Sequence, residues 1–397
     1  MLIPVQKATE IILNQTEDFG CESVPFIESL GRVLKENIYA DRDFPPFDRA
    51  SMDGVAINIE AFNKGLRDFI IEGVQAAGSA QLTLKNPANC IETMTGAVLP
   101  KNTNAVIQYE LTETKNNTVT INTDDVQFYK NIHKQGLDCK KGSELISKNT
   151  LISAAEIGVF ATVGKSFVSV AKQPKIVIIS TGDELVEVNE MPKTYQIRRS
   201  NVHTLVSLLE RLHIKSDTLH ITDDKELLKA KIKTALNDYD VLLFSGAVSK
   251  GKFDFIPEVL DALGVEKLFH RVKQKPGKPF WFGKKDTKTI FAFPGNPVST
   301  FVSCLKYFEP WYQKSVGLPF ENKQTAILAS DFEFKAPLTY FLQVKLENKN
   351  SCLYAHPVTG NGSGDLANLA LADAFLELPA DKSNFTKGDV FPILTYR

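Results

Sequence analysis

Several loops of this 397-residue chain combine glycine, proline and hydroxyl or charged side chains in patterns suited to holding an anion. Thr181-Gly-Asp-Glu184 follows an apolar run at 175–180 (KIVIIS). Gly246-Ala-Val-Ser249-Lys-Gly-Lys-Phe-Asp254 follows a second run at 240–245 (DVLLFS), which ends on Ser245. Pro294-Gly295-Asn296-Pro297 follows a third at 289–293. Glycine lets backbone N–H groups come close to a ligand, and a helix starting after the loop adds free donors and the positive end of its dipole. Lys275-Pro-Gly-Lys278-Pro holds two ammonium groups on a loop stiffened by proline, and lysine serves phosphate-like anions as a point charge. Any one of these loops reads as an ordinary turn or helix cap. Three of them, after three successive strands, read as a cradle for phosphate or another tetrahedral oxyanion. Two further turns, Pro45-Pro-Phe-Asp-Arg-Ala-Ser-Met-Asp53-Gly54 and Met94-Thr95-Gly-Ala-Val-Leu-Pro100, lie in a different stretch of the chain.

Such loops need a sheet to aim them. Buried apolar strands at 175–180, 240–245 and 289–293 alternate with amphipathic helices at 203–212, 225–236, 255–263 and 298–308. That alternation predicts a doubly wound parallel sheet, in which ligands bind at the carboxyl ends of the strands. Residues 1–40 read as helix-rich, and Pro45-Pro46 breaks that pattern. Residues 50–140 alternate short β-like runs with Gly, Asn and Pro turns, 151–160 return to a helical period, and 319 onward reads as strands and turns. The expected layout is a multidomain α/β plus β chain. Residues 1–40 with 141–172 form an elongated helical or linker domain, 41–140 an inserted β-rich module, 173–318 the α/β domain and 319–397 a C-terminal β domain.

Composition narrows the function classes. Hydrophobic residues make up 43% and charged residues 23%, a globular balance. Lys plus Arg number 46 against 47 Asp plus Glu, for a net charge of -1, so no global field favours nucleic acid or a membrane surface. The 5 cysteines are scattered without a CxxC pair, which supports neither a zinc ribbon nor a disulfide framework. No apolar run approaches the roughly 20 residues of a membrane helix, and no signal-peptide core is visible. A cytoplasmic setting is the expectation.

The motifs PPFDRASMDGVAI, MTGAVLP, STGDEL, SGAVSKGKFDF, KPGKPFWFG and FPGNPVS, in that order and spacing, resemble the molybdopterin molybdenumtransferases, the MoeA and gephyrin E-domain family. The resemblance spans essentially the whole chain. It implies ligation of molybdate to adenylylated molybdopterin with release of AMP, on a molybdopterin-binding α/β fold. It implies catalytic roles for Asp53, Glu184, Asp223, Asp254, Lys275 and Lys278. It implies substrate contacts from Thr95, Asp138, Ser245, Gly246, Ser249, Pro294, Gly295, Asn296 and Pro297. It also implies a homodimer in which the inserted module of one subunit closes over the sheet loops of the other, with handover from a molybdopterin adenylyltransferase. Against the family pattern, His133 stands for Arg, Leu137 for Glu, Arg198-Arg199 for Tyr-Asp, Ala247 for Gly, Arg271 for Lys and Gln343 for Arg.

The five acids Asp53, Asp138, Glu184, Asp223 and Asp254 would repel two anionic substrates. A hard divalent cation resolves that conflict, so Mg2+ is expected, with Asp223 and Asp254 as its ligands. No protein nucleophile is assigned. The alternatives are a molybdopterin adenylyltransferase and a non-catalytic cofactor-binding or scaffold paralogue.

Overall fold

The computed structural model describes residues 2–246, 255–318, 324–358, 360 and 362–397. The chain forms two compact units. The first comprises Met1–Lys35, Asn149–Ser153 and Val168–Arg397, and the second Glu36–Lys148 and Ala154–Phe167.

The centre of the first unit is a six-stranded sheet. Its strand order is Ser216–Ile221, Ile176–Thr181, Val241–Ser245, Lys288–Phe293, Trp281–Lys285 and Glu266–His270. The first four strands are parallel, and the last two join antiparallel. The sheet is therefore mixed rather than wholly parallel. Side chains alternate between its faces with the pleat. Ile176, Ile178, Val241 and Leu243 enter one core with helix Ser200–Glu210 and the segment 297–316, while Val177, Ile179, Leu242 and Phe244 enter another with helices Lys225–Asp238 and Ile256–Ala262. Each such side chain contributes about 1.5–3 kcal/mol by leaving water. Helix Pro297–Ser303 runs on through a π-turn at Cys304–Phe308 into Glu309–Ser315, past the expected end at 308. Pro310 has no N–H to donate into the α ladder there, and the extension buries Trp311, whose indole N–H donates to the Gln15 carbonyl at 2.8 Å.

The carboxyl-terminal strands Thr339–Lys349, Cys352–Pro357, Thr325–Leu328, Val390–Thr395 and Ala374–Leu378 pair in that order. Ala374–Leu378 then pairs back onto Thr339–Lys349, which closes the barrel. Gln274–Lys275 adds to it in parallel with Thr339 and Tyr340. A short helix, Leu366–Leu371, lies in this β region, where none was expected; Asp365 caps it at Asn368 N–H. Among residues 2–40, the α-helix is confined to Val5–Leu13, and Cys21–Pro25 is a strand. The helix-rich reading of this stretch is corrected accordingly: the β-branched Val24 and the following proline favour extended backbone.

The second unit is β-rich. Its sheet runs Ala105–Gln108, Gly54–Ile57, Asn89–Thr93, Asp68–Gln75, Thr118–Ile121 and Thr112–Lys115. Helix Ala154–Thr162 meets the expected helical stretch three residues late. No helix among the described residues is long and apolar enough to cross a membrane.

Candidate active site

Described residues of the three glycine-bearing loops, Gly246 alone from the second, meet at the carboxyl ends of the parallel strands. Ser180, Thr181, Glu184, Ser245, Gly246, Gly295, Asn296 and Pro297 line one cavity of about 390 Å3 together with Arg198, Arg199 and the first turn of Ser200–Glu210. Gly182 has φ +130°, and a Cβ there would stand 2.3 Å from a Glu184 carboxylate oxygen, so only glycine lets that carboxylate fold over the turn. The Asn201 side-chain amide donates to the Gly295 carbonyl at 2.7 Å, tying the start of that helix to the proline-flanked turn. Thr181 is buried, and its hydroxyl has no partner among the described residues; the same holds for Arg199 Nε.

A second cavity, about 360 Å3, lies between the α/β domain and the barrel. Lys275, Pro276, Val298, Tyr340, Phe341, Gln343 and Ser363 are among its walls. The Lys275 ammonium stands 5.4 and 5.7 Å from the ring centroids of Phe334 and Tyr340, within cation–π range. Gln343 is buried; its Oε1 accepts from Asn368 Nδ2 at 2.6 Å, and its Nε2 has no partner among the described residues. A buried donor without a partner loses its hydration for nothing, so such groups point to a missing acceptor. The two cavities share a wall. Asn296 Nδ2 donates to Ser363 Oγ at 2.7 Å, and Val298 N–H donates to the Ser363 carbonyl at 3.1 Å.

Other expected residues fall elsewhere. Lys278 is exposed and is among the lining residues of neither cavity. Pro294 is buried behind its turn, where its carbonyl accepts from the Thr300 hydroxyl. Asp223 follows the edge strand, and its N–H donates to Asp183 Oδ1 at 3.2 Å. Ala247, Ser249 and Asp254 lie outside the described residues. Among the described residues no group of three or more His, Cys, Asp or Glu gathers as a metal cluster.

Asp53, Thr95 and Asp138 belong to the second unit. Asp53 Oδ1 accepts from Thr95 N–H at 2.6 Å and from its hydroxyl at 2.8 Å. Those bonds hold its carboxyl below the usual carboxylate range, the backbone one most strongly. Asp138 Oδ1 lies 2.7 Å from His133 Nε2. The pair Arg49–Ala50 sits between the two: it bonds Ile132 and His133 on one side and meets Val98, Gly96 and Ala97 on the other. Sequence reading placed Thr181 only as part of a turn and noted Arg199 only as a departure. An arginine directly before an amphipathic helix at a strand end is the signal that could have drawn attention to it.

Three regions of known families match in series: the MoeA N-terminal region (domain I and II) at residues 3–164, the probable molybdopterin binding domain at 177–314, and the MoeA C-terminal region (domain IV) at 325–396. A molybdopterin molybdenumtransferase of Synechocystis sp. is 40% identical over 403 aligned positions, covering 100% of both chains. One from Staphylococcus aureus is 30% identical, covering 99% of this chain and 95% of its own. The crystal structure of the molybdopterin biosynthesis MoeA protein of Pyrococcus horikoshii superimposes with a TM-score of 0.85 at 29% identity, over 100% of both chains. With its fold, its three family regions and its full-length relatives in agreement, the chain belongs to the molybdopterin molybdenumtransferase (MoeA) family.

Proposed function

We propose that this protein is an enzyme of molybdenum cofactor biosynthesis that inserts molybdate into adenylylated molybdopterin and releases AMP. The observation that carries the reading is the shared wall at Asn296 and Ser363, with unmet donors on either side of it. Two anionic substrates fit side by side there. Molybdate, a tetrahedral dianion, would occupy the cavity of Lys275 and Gln343, where one ammonium and one amide donor meet it. The adenylylated substrate would occupy the cavity at the strand ends. The wall holds the oxyanion next to the pyrophosphate link, so that an oxygen of molybdate or water attacks phosphorus, the P–O bond breaks and AMP departs. The two dithiolene sulfurs then displace one oxygen from molybdenum, which leaves as water with the two thiol protons, and molybdenum keeps its oxidation state. Holding both reactants in place supplies much of the rate.

Mg2+ is the proposed cofactor, with Asp223 and Asp254 as its protein ligands; bound there it would neutralise phosphate oxygens. Of the two, Asp223 is among the described residues. Lys278 supplies further positive charge in this reading. Asp53, Thr95 and Asp138 would complete the site from the partner copy in a homodimer. A molybdopterin adenylyltransferase would deliver the substrate, in the cytoplasm.

The test is molybdate insertion by the purified protein, followed by AMP formation. Asp223→Ala or Asp254→Ala should abolish insertion while leaving the unfolding midpoint within a few degrees. Insertion at the wild-type rate in both variants would refute the assignment.

A further inference from the structure

The strand-end cavity is lined by a guanidinium, one nitrogen of which has no partner among the described residues. Arg199 is the residue just before helix Ser200–Glu210. The short parallel pairing of Leu185–Val186 with Ile197–Arg198 and the bond from Arg199 N–H to the Val186 carbonyl at 3.1 Å fix its backbone. Its side chain is 11% exposed, and its terminal nitrogen ion-pairs with Glu187. That pairing holds the Glu187 carboxyl below its usual range, chiefly through the bond from Arg199. Nε is buried and has no partner among the described residues.

Three other features belong to the lining of the same cavity. The Thr181 hydroxyl is likewise buried and unpartnered. Helix Ser200–Glu210 begins here with no acidic residue in its first turn and no side-chain cap, and Ser200, Asn201 and Val202 line the cavity. Arg198 adds a second guanidinium at the rim, its Nε bonded to the Glu190 carbonyl at 3.1 Å. The opposing charge on the lining is Glu184, an exposed residue whose carbonyl accepts from Ile197 N–H at 2.8 Å. A guanidinium, a hydroxyl and a helix amino terminus on the lining of one cavity match the acceptor oxygens of a phosphate.

We propose that Arg199 recognises a phosphoryl group in this cavity, its Nε–H and the Thr181 hydroxyl donating to phosphate oxygens at the start of helix Ser200–Glu210. The inference deepens the reading of this cavity as the seat of the adenylylated substrate and rests on it. Glu187 serves as the brace that turns the guanidinium edge inward.

Calorimetric titration of the full chain with AMP, adenosine and inorganic phosphate tests it. The wild type is expected to bind AMP at least about tenfold more tightly than adenosine, since charge-assisted bonds to phosphate are the strong ones. Arg199→Gln should weaken AMP about tenfold and leave adenosine unchanged, so the preference collapses. Arg199→Lys retains the ion pair with Glu187 but lacks Nε–H, and it should weaken AMP with adenosine again unchanged. Phosphate alone competing with AMP in the wild type but not in Arg199→Gln would support the same assignment. Equal losses for AMP and adenosine, or an AMP preference unaffected in both Arg199 variants, would overturn it. Loss of molybdate insertion with the Arg199-dependent AMP preference intact would count against the proposed function alone.

Discussion

Two sets of polar residues, one expected at the site and one not, contrast in how far their bonding is already met. In the second unit, Asp53 takes two bonds from Thr95, and Asp138 pairs with His133. In the first unit, Thr181, Arg199 and Gln343 each keep a buried donor without an acceptor among the described residues. The first set consists of acceptors held rigid by neighbours before any ligand arrives. The second consists of donors whose acceptors are missing. The contrast teaches that a turn motif can be legible in sequence for two physical reasons: because it must fold, or because it must bind.

Glycines offer the strongest way to break this contrast. A Cβ on Gly54 would stand 1.9 Å from the Ile107 carbonyl oxygen of the neighbouring strand, whereas a Cβ on Gly295 would meet Gly246 Cα at 3.5 Å, an ordinary contact. Gly54→Ala should therefore destabilise the protein by about 3 kcal/mol or more, and Gly295→Ala by less than about 1 kcal/mol, in urea unfolding. Equal costs would erase the distinction between folding turn and binding turn. Asn368→Ala comes next. It strips Gln343 Oε1 of its partner in a buried site and should cost about 1–3 kcal/mol in the same assay. Thr181→Val removes an unmet hydroxyl while keeping the shape. Stability should stay within about 1 kcal/mol or rise, while AMP affinity falls about threefold; a large loss of stability would place that hydroxyl in the fold instead.

The smallest effect concerns pH. A carboxyl held below its ordinary value stabilises the fold fully above the unfolded value and loses that contribution as pH falls through the folded one. For Asp53 that window lies below about pH 4. Carbon-detected NMR should find its midpoint below that of an exposed aspartate, and Thr95→Val should move it upward, because the hydroxyl donor is gone. An unchanged midpoint would sever Asp53 from Thr95.

The parallel strands and their helices were legible because residues 175–180, 240–245 and 289–293 are continuous apolar runs. Ser216–Ile221 escaped notice: SDTLHI is an edge strand with mixed polarity. Trp281–Lys285 was not read as a strand; it starts just past the basic turn at Lys275–Pro279, although Phe280, Trp281 and Phe282 are buried. Barrel closure was not legible, since the pairing of 339–349 with 374–378 is a long-range choice that local pattern does not carry. Of the site, the glycine and proline loops were visible from spacing. The unmet donors were not, because burial without a partner is a property of three-dimensional packing.

The ladder between Gln274–Lys275 and Thr339–Tyr340 also bears on modularity. The α/β domain sends a piece of itself into the barrel, and that piece carries Lys275. Excision of residues 173–318 would leave this lysine's backbone with its ladder partner gone. The sheet could survive such surgery, yet the ammonium would lose its anchor, so the boundary that best divides the fold is not one that can be cut without cost to the chemistry.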